Sequence, residues 1–312
     1  MKQYIYPFLL LSLSLLFGEE SYNNLADDDI ATIEEEVFSV KGESFSFGKS
    51  KRLLATKVYP NHQKAFYSGC SYIIEEKKLV PIHETCGFQY RKNKNRSNRI
   101  EWEHIVPAWH FGHQLQCWQK GGRKECRQNN SKFREMESDM HNLVPAIGEI
   151  NGDRSNFRYG MIVGEERVYG RVNMEIKFSD KKAEPKENTF GEIARTYFYM
   201  RDKYRLKISN SQEKLFIAWN NQDPVTRWER KRNQLIKNLQ GDENLYITNY
   251  EKIEQLGKIP EDDELSSDFD GIRKELLGEY GHLLKNLSEP MATLILLLMT
   301  LFVMYKRKNR NK

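Results

Sequence analysis

Three short stretches hold the residues whose types and spacing can do chemistry. The first is Glu101-Trp102-Glu103-His104-Ile105-Val106-Pro107-Ala108-Trp109. The second is Cys117-Trp118 followed by Gly121-Gly122-Arg123-Lys124-Glu125-Cys126. The third is Asp139-Met140-His141-Asn142-Leu143-Val144-Pro145-Ala146-Ile147-Gly148-Glu149-Ile150-Asn151-Gly152-Asp153-Arg154. A carboxylate beside a histidine, an arginine in a Cys-bounded loop and an Asn-rich segment are the groups needed to hydrolyse a phosphodiester with a hard cation. Glu103 offers an anionic oxygen and Asn151 a neutral amide oxygen, few enough ligands to leave room for phosphate and water. His104 can take a proton from water, because an imidazole titrates near neutrality. Arg123 can hold the phosphate through paired hydrogen bonds. Taken singly, each has a plainer reading: a surface Glu-His pair, an Asn-Gly turn at Asn151-Gly152, an exposed loop arginine. His110, His113 and His141 are expected as structural hydrogen-bonding residues, and Trp102, Trp109 and Trp118 as core.

These groups need a frame. Residues 65–74, aromatic and β-branched, predict a strand, and 100–106 predict a second that stops at Pro107. Weaker strand patterns cover 159–163 and 167–178. From Gly191 the spacing of Ile193, Tyr197, Met200 and Tyr204 predicts a helix. A further helix is framed by Asp223 as cap, Pro224 at its first position, Trp228, Leu235, Ile236 and Leu239 on its buried side, and Gly241 past its end. The run 91–99 carries Arg91, Lys92, Lys94, Arg96 and Arg99 with no acid. It is the expected phosphate-tracking surface, joined by Arg154 and Arg158, against the plainer reading of a solvated basic loop. No base-reading module is visible, so cleavage at a defined sequence is not expected.

The 312 residues suffice for one large domain or two small ones, and a net charge of +5 is too mild to name a partner. Residues 1–18 have the basic start, apolar centre and small exit residue of a signal peptide, and 19–39 form a polar leader. Export directs the reading of Cys70, Cys86, Cys117 and Cys126, all within 57 residues, toward disulfides. Three pairings are open, and nearest neighbours, Cys70 with Cys86 and Cys117 with Cys126, are expected. No Cys-x-x-Cys pair supports a zinc site or another class of metal hydrolase. Residues 251–288 read as a charged spacer and 289–305 as a transmembrane helix, followed by the basic tail 306–312. Fifteen uncharged residues, 291–305, would span roughly 22 Å against a hydrocarbon core of about 30 Å, with flanking Lys and Arg snorkelling to cover the deficit. The tail then stays cytoplasmic and the folded part faces outside, at the periplasmic or extracytoplasmic surface of the cytoplasmic membrane.

In order and spacing the three stretches resemble the signatures of the bacterial endonuclease I family: Glu-Trp-Glu-His-x-Val-Pro-Ala-Trp, Cys-Trp-x-x-Gly-Gly-Arg-Lys-x-Cys, and Asp-x-His-Asn-Leu-x-Pro-Ala-x-Gly-Glu-x-Asn-Gly-Asp-Arg. The likeness continues through Gly191-Glu192-Ile193-Ala194-Arg195-Thr196-Tyr197 and Asp223-Pro224-Val225 to Gln240-Gly241, over about 40–250. The resemblance implies an α+β fold, a mixed α/β single nuclease domain around a ββα-metal motif. It implies an enzyme that cuts DNA, and often RNA, with little sequence preference and leaves 5′-phosphates; a monomer is expected. By position, Glu103 and Asn151 match the ligands of Mg²⁺, for which Mn²⁺ or Ca²⁺ can substitute. His104 matches the general base, Arg123 the phosphate-stabilising arginine, and Asn142 an asparagine that braces the motif. Ser68 stands where some relatives carry a further cysteine. The competing class is a DNA-binding or uptake protein that keeps the scaffold without turnover; Glu103, His104, Arg123 and Asn151 together argue against it.

Overall fold

A computed structural model describes residues 45–257, except 77 and 165, and the short pieces 276–277, 295–296 and 298–300. Helix α1 (Phe47–Leu53) starts where the Ser46 hydroxyl accepts from the Lys49 amide, and it widens into a further turn at Leu54–Val58. Hairpin β1 (Ser71–Glu75) and β2 (Lys78–Ile82) follows, with the Cys70–Cys86 disulfide at its base. A short turn of helix, α2 (Lys94–Ser97), leads into β3 (Ile100–His104).

After β3 the chain makes a helical excursion through α3 (Ala108–Gly112), α4 (Gln116–Asn129) and α5 (Ser131–Ser138). It returns as β4 (Leu143–Ile147), antiparallel to β3, with His104 opposite Leu143 and Ile100 opposite Ile147. Helix α6 (Gly148–Arg154) begins on the next residue. Every residue of β4 is buried, as its apolar sequence requires. Leu143 joins Leu54, Tyr59 and Ile236 in one apolar cluster, while Val144, Ala146 and Ile147 belong to the larger one. The strand pair is thus gripped by two cores, which fixes the side chains at its ends.

The rest supports this unit. Strands β5 (Arg158–Tyr159), β6 (Glu175–Lys177) and β7 (Lys182–Glu184) form a small sheet in the order β5-β7-β6. Helices α7 (Phe190–Tyr204), α8 (Asn210–Gln222), α9 (Arg227–Gln240) and α10 (Leu245–Thr248) complete the unit that ends at residue 256. On α7 the predicted positions Ile193, Tyr197, Met200 and Tyr204 are all buried. Its rings pack on α8, Phe190 stacking on Trp219 at 4.0 Å and Tyr197 meeting Phe216 at 4.3 Å.

The fold class is α+β, as expected, and both nearest-neighbour disulfides form. Several local expectations are corrected. The predicted strand 65–74 begins only at Ser71, because Gly69 takes a left-handed φ of 72° and turns the chain. The patterns at 159–163 and 167–178 yield only Arg158–Tyr159 and Glu175–Lys177. The Cys-bounded loop is helix, broken where Gly122 takes φ 65° and ψ −153°. Asp223 ends α8 and accepts from the Gly191 amide at 2.9 Å. The cap of α9 is Thr226, which exchanges hydrogen bonds with Glu229 in a box that satisfies two amides at once. Gly241 ends that helix as predicted, at φ 96°. Trp109 is 42% exposed rather than core. The expected signal peptide and leader lie outside the described residues, as do most of the spacer and of the apolar run 289–305. Among the described residues no helix is long and apolar enough to cross a membrane.

Candidate active site

Residues two apart on a strand share a face, so Glu101 and Glu103 project to the same side of β3. Glu103 is buried, and its Oε1 accepts from the Tyr67 hydroxyl at 3.1 Å and from Arg154 Nη1 at 2.9 Å. No side chain among the described residues donates to its Oε2, and the His104 amide also favours the carboxylate. Burial pushes the Glu103 carboxyl up to about 6, against the opposing pull of Arg154 and Tyr67. Arg154, expected on the nucleic-acid surface, is corrected: it is fully buried, donates also to the carbonyls of His104 and Ile105, and lies over the Tyr159 ring at 4.6 Å. It is a strut joining the end of α6 to the end of β3.

His104 ends β3 with its Nε2 at 2.9 Å from the Glu137 carbonyl. A carbonyl only accepts, so Nε2 carries the proton and Nδ1 keeps its lone pair. The ring stacks on Phe47 at 5.1 Å. Burial, and then the Arg123 charge, bring the imidazole down to about 4, so it is neutral at physiological pH. Glu137, which the sequence reading missed, does more than hold this ring. Its buried carboxylate accepts from Arg123 Nε at 2.6 Å and from Arg127 Nε and Nη2 at 2.8 and 2.6 Å. Burial alone would raise this carboxyl, but the two guanidiniums outweigh it and hold it below its ordinary value. The only sequence signal was an acid on the side of α5 that also carries the buried Phe133 and Met136. Arg123 opens the second half of α4, just past the glycine break and inside the Cys117–Cys126 disulfide.

Asn151 lies within α6, not in a turn. Its Nδ2 donates to Glu101 Oε2 at 3.0 Å, which leaves the amide oxygen without a hydrogen bond among the described residues. A Cβ at Gly152 would stand 2.0 Å from Arg96 Nη1, so a larger residue there would displace the flexible Arg96 side chain from its pairing with Glu101. Asn142 clamps the exit of β3: its Oδ1 accepts from the Val106 amide at 2.7 Å and its Nδ2 donates to the Val106 carbonyl at 3.0 Å. Glu103, His104, Arg123 and Asn151 all line one cleft of about 750 Å³. Among the described residues no group of three or more His, Cys, Asp or Glu could hold a metal. The Glu103 carboxylate and the Asn151 amide oxygen both line this cleft, and hard oxygen donors of this kind could hold Mg²⁺ or Ca²⁺ rather than zinc.

The basic run is largely neutralised. Arg91 pairs with Asp153 through two hydrogen bonds of 2.9 and 2.8 Å, and Arg96 and Arg99 both pair with Glu101. Its backbone is pinned by Glu149, whose carboxylate accepts from the amides of Arg91, Lys92 and Asn93. Lys92 and Lys94 are exposed and make no ion pair among the described residues.

Two antiparallel strands running straight into a helix, with an acid and an imidazole ending the first strand and an amide on the helix, make this an α+β hydrolase of the ββα kind. Comparison with known proteins narrows the class. A family model described as Endonuclease I matches residues 34–251. An Endonuclease-1 of Buchnera aphidicola subsp. Acyrthosiphon pisum (strain APS) is 52% identical over 196 residues, 63% of this chain and 78% of the relative. A periplasmic deoxyribonuclease of Aeromonas hydrophila is 49% identical over 192 residues, covering 61% and 81% of the two chains. An extracellular deoxyribonuclease of the same organism is 48% identical over 192 residues, covering 61% and 83%. The chain belongs to the endonuclease I family and is an endonuclease.

Proposed function

We propose that this chain is an exported, metal-dependent nuclease that hydrolyses DNA, and RNA as well, without sequence preference and with 5′-phosphate products. The observation that carries the reading is the state of His104: neutral, with its proton fixed on Nε2 by the Glu137 carbonyl, beside Glu103 in a cleft that also holds Arg123. In this arrangement Nδ1 of His104 takes a proton from water as the water oxygen attacks phosphorus, and the bond from phosphorus to the 3′ oxygen breaks. Arg123, held by Glu137, donates to the non-bridging oxygens as their charge grows. Glu103 Oε2 and the Asn151 amide oxygen would hold a Mg²⁺ ion, which when bound supplies charge neutralisation at the phosphate and the departing 3′ oxygen. Arg154 and Tyr67 keep Glu103 oriented by occupying its other oxygen.

The names of the relatives support DNA as substrate and export as the destination. Tethering by 289–305 rests on the sequence alone; digestion of the 306–312 tail from outside intact spheroplasts would overturn the orientation with the tail in the cytoplasm. A plasmid-nicking assay tests the chemistry. Wild type nicks with Mg²⁺ and not with EDTA, and His104→Ala is slower by 10² to 10⁴, roughly the general-base contribution. Undiminished cleavage by His104→Ala removes the mechanism, while wild-type binding without nicking favours the uptake reading.

A further inference from the structure

Besides Lys92 and Lys94 in the 91–99 run, three exposed cations that carry no acidic partner among the described residues stand together at a second cavity. This cavity, about 510 Å³, shares Trp109 with the catalytic cleft. No Asp or Glu lines it. Lys132, Arg158 and Lys207 do; all three are exposed and none makes an ion pair among the described residues. Its walls combine an apolar patch of Leu115, Met200, Leu206 and Ile208 with the polar groups of Gln114, Ser209 and Gln212. Trp109, 42% exposed, is already held flat: its indole stacks on His113 at 3.8 Å with 4° between the planes, and His113 Nδ1 donates to the Trp109 carbonyl. Gln212 donates its Nε2 to the Tyr159 carbonyl at 2.9 Å, so its amide oxygen has no hydrogen bond among the described residues.

A fixed aromatic platform, an apolar recess, an amide for a base edge and uncompensated cations at the rim are the means by which proteins hold an unpaired nucleotide. A duplex, with its bases stacked inside, would use the cations but not the recess. The geometry points to a subsite for one unpaired nucleotide of the substrate strand, its base in the recess against Trp109 and its flanking phosphates on Lys132, Arg158 and Lys207. The assignment rests on reading the adjoining cleft as the nuclease centre, and it makes single-stranded or fraying nucleic acid the preferred substrate.

The test uses a single-stranded DNA dodecamer carrying one 2-aminopurine and a blunt duplex of the same sequence, titrated with the full chain in EDTA. Binding of the single strand quenches the 2-aminopurine, which stacks in the recess. Ile208→Trp narrows the recess without changing charge; it weakens single-strand binding about tenfold, abolishes the quench and affects the duplex less. Arg158→Glu with Lys207→Glu, both at exposed positions where folding is not at stake, weakens single-strand binding and lowers its salt slope by roughly 1.4, two phosphate contacts' worth. Wild-type affinity in both variants overturns the subsite. Equal losses on single strand and duplex also overturn it, leaving only a phosphate-binding surface. Plasmid nicking by wild type with Mg²⁺ separates the two readings: nicking without a selective single-strand defect removes the subsite alone, while binding and quench without nicking remove the catalytic reading and keep the subsite.

Discussion

Two buried carboxylates, 36 residues apart in sequence, have opposite surroundings. Asp139 is closed. Its Oδ1 accepts from the His141 amide and Gln240, and its Oδ2 from the Tyr199 hydroxyl, Lys203 and the Tyr204 hydroxyl. Burial alone would raise this carboxyl, but Lys203 and the converging donors hold it well below the usual carboxylate range. Glu103 is half open. Two side-chain donors share Oε1, no side chain among the described residues donates to Oε2, and burial prevails, raising the carboxyl to about 6. A carboxylate whose acceptor capacity is filled ties elements together. One that is oriented on one oxygen and left wanting on the other is placed for a cation.

The largest expected effect is on turnover. Glu103→Gln should cut cleavage about 10³-fold, because the amide cannot replace an anionic ligand. Asp139→Asn, assayed per folded molecule well below its melting temperature, should stay within about threefold of wild type, because Asp139 does not line the cleft. Comparable losses in both variants would erase the distinction between the two carboxylates.

Stability should reverse the ranking. Breaking the Asp139 cluster leaves Lys203 and its neighbours without their charge partner, at a cost of about 3 kcal/mol in urea unfolding at pH 7. The sign follows from the lowered carboxyl: its contribution is present above the unfolded value of about 3.9 and is lost as pH falls through the folded value. The gap between wild type and Asp139→Asn should therefore close progressively below about pH 4; a gap that widens in acid would contradict the assignment. In the cation-free protein Glu103 acts in the opposite sense, since its raised carboxyl lets stability fall as pH rises toward about 6.

Ligand linkage sharpens the same contrast. A cation that binds only the folded chain stabilises it by about 2.7 kcal/mol at a hundred times its Kd. Thermal unfolding with and without Mg²⁺ should register that shift in wild type and in Asp139→Asn, and not in Glu103→Gln. A shift that survives in Glu103→Gln would place the cation elsewhere.

What could be read from the chain follows the range of the interactions. The helix carrying Tyr197 and the Gly241 stop were legible because periodicity and left-handed glycine are local signals. Helix α8 was not anticipated, since its buried Phe216 and Trp219 matter through their partners on α7. At the site, Glu103, His104, Arg123 and Asn151 were legible as types in a spacing, and the cleft does bring them together. The roles of Arg154 and Glu137 were not, because each depends on contacts across the fold: Arg154 reaches 51 residues back to Glu103, and Glu137 reaches 33 residues back to His104. Charge type alone placed Arg154 on the surface; only its buried acceptors show it to be internal. The same blindness made the 91–99 run look like a cationic patch, since the acids that neutralise it, Glu101 and Asp153, come from β3 and α6.

The smallest expected effect separates two jobs of one residue. Glu137 holds His104 through its backbone carbonyl and Arg123 through its carboxylate. Glu137→Gln keeps the carbonyl and an amide of similar shape, so the imidazole tautomer is retained while Arg123 loses its charged anchor. Turnover should fall about tenfold, less than removal of a transition-state donor outright, which costs 10² to 10³. The acidic limb of kcat/KM should move to lower pH, because the Glu137 charge is among the influences that hold the His104 imidazole up. A limb that stays put would confine the carboxylate to Arg123 and leave the base to the backbone carbonyl alone. If it moves, Glu137 resembles neither the closed Asp139 nor the half-open Glu103, and couples the two groups that work on either side of the phosphate.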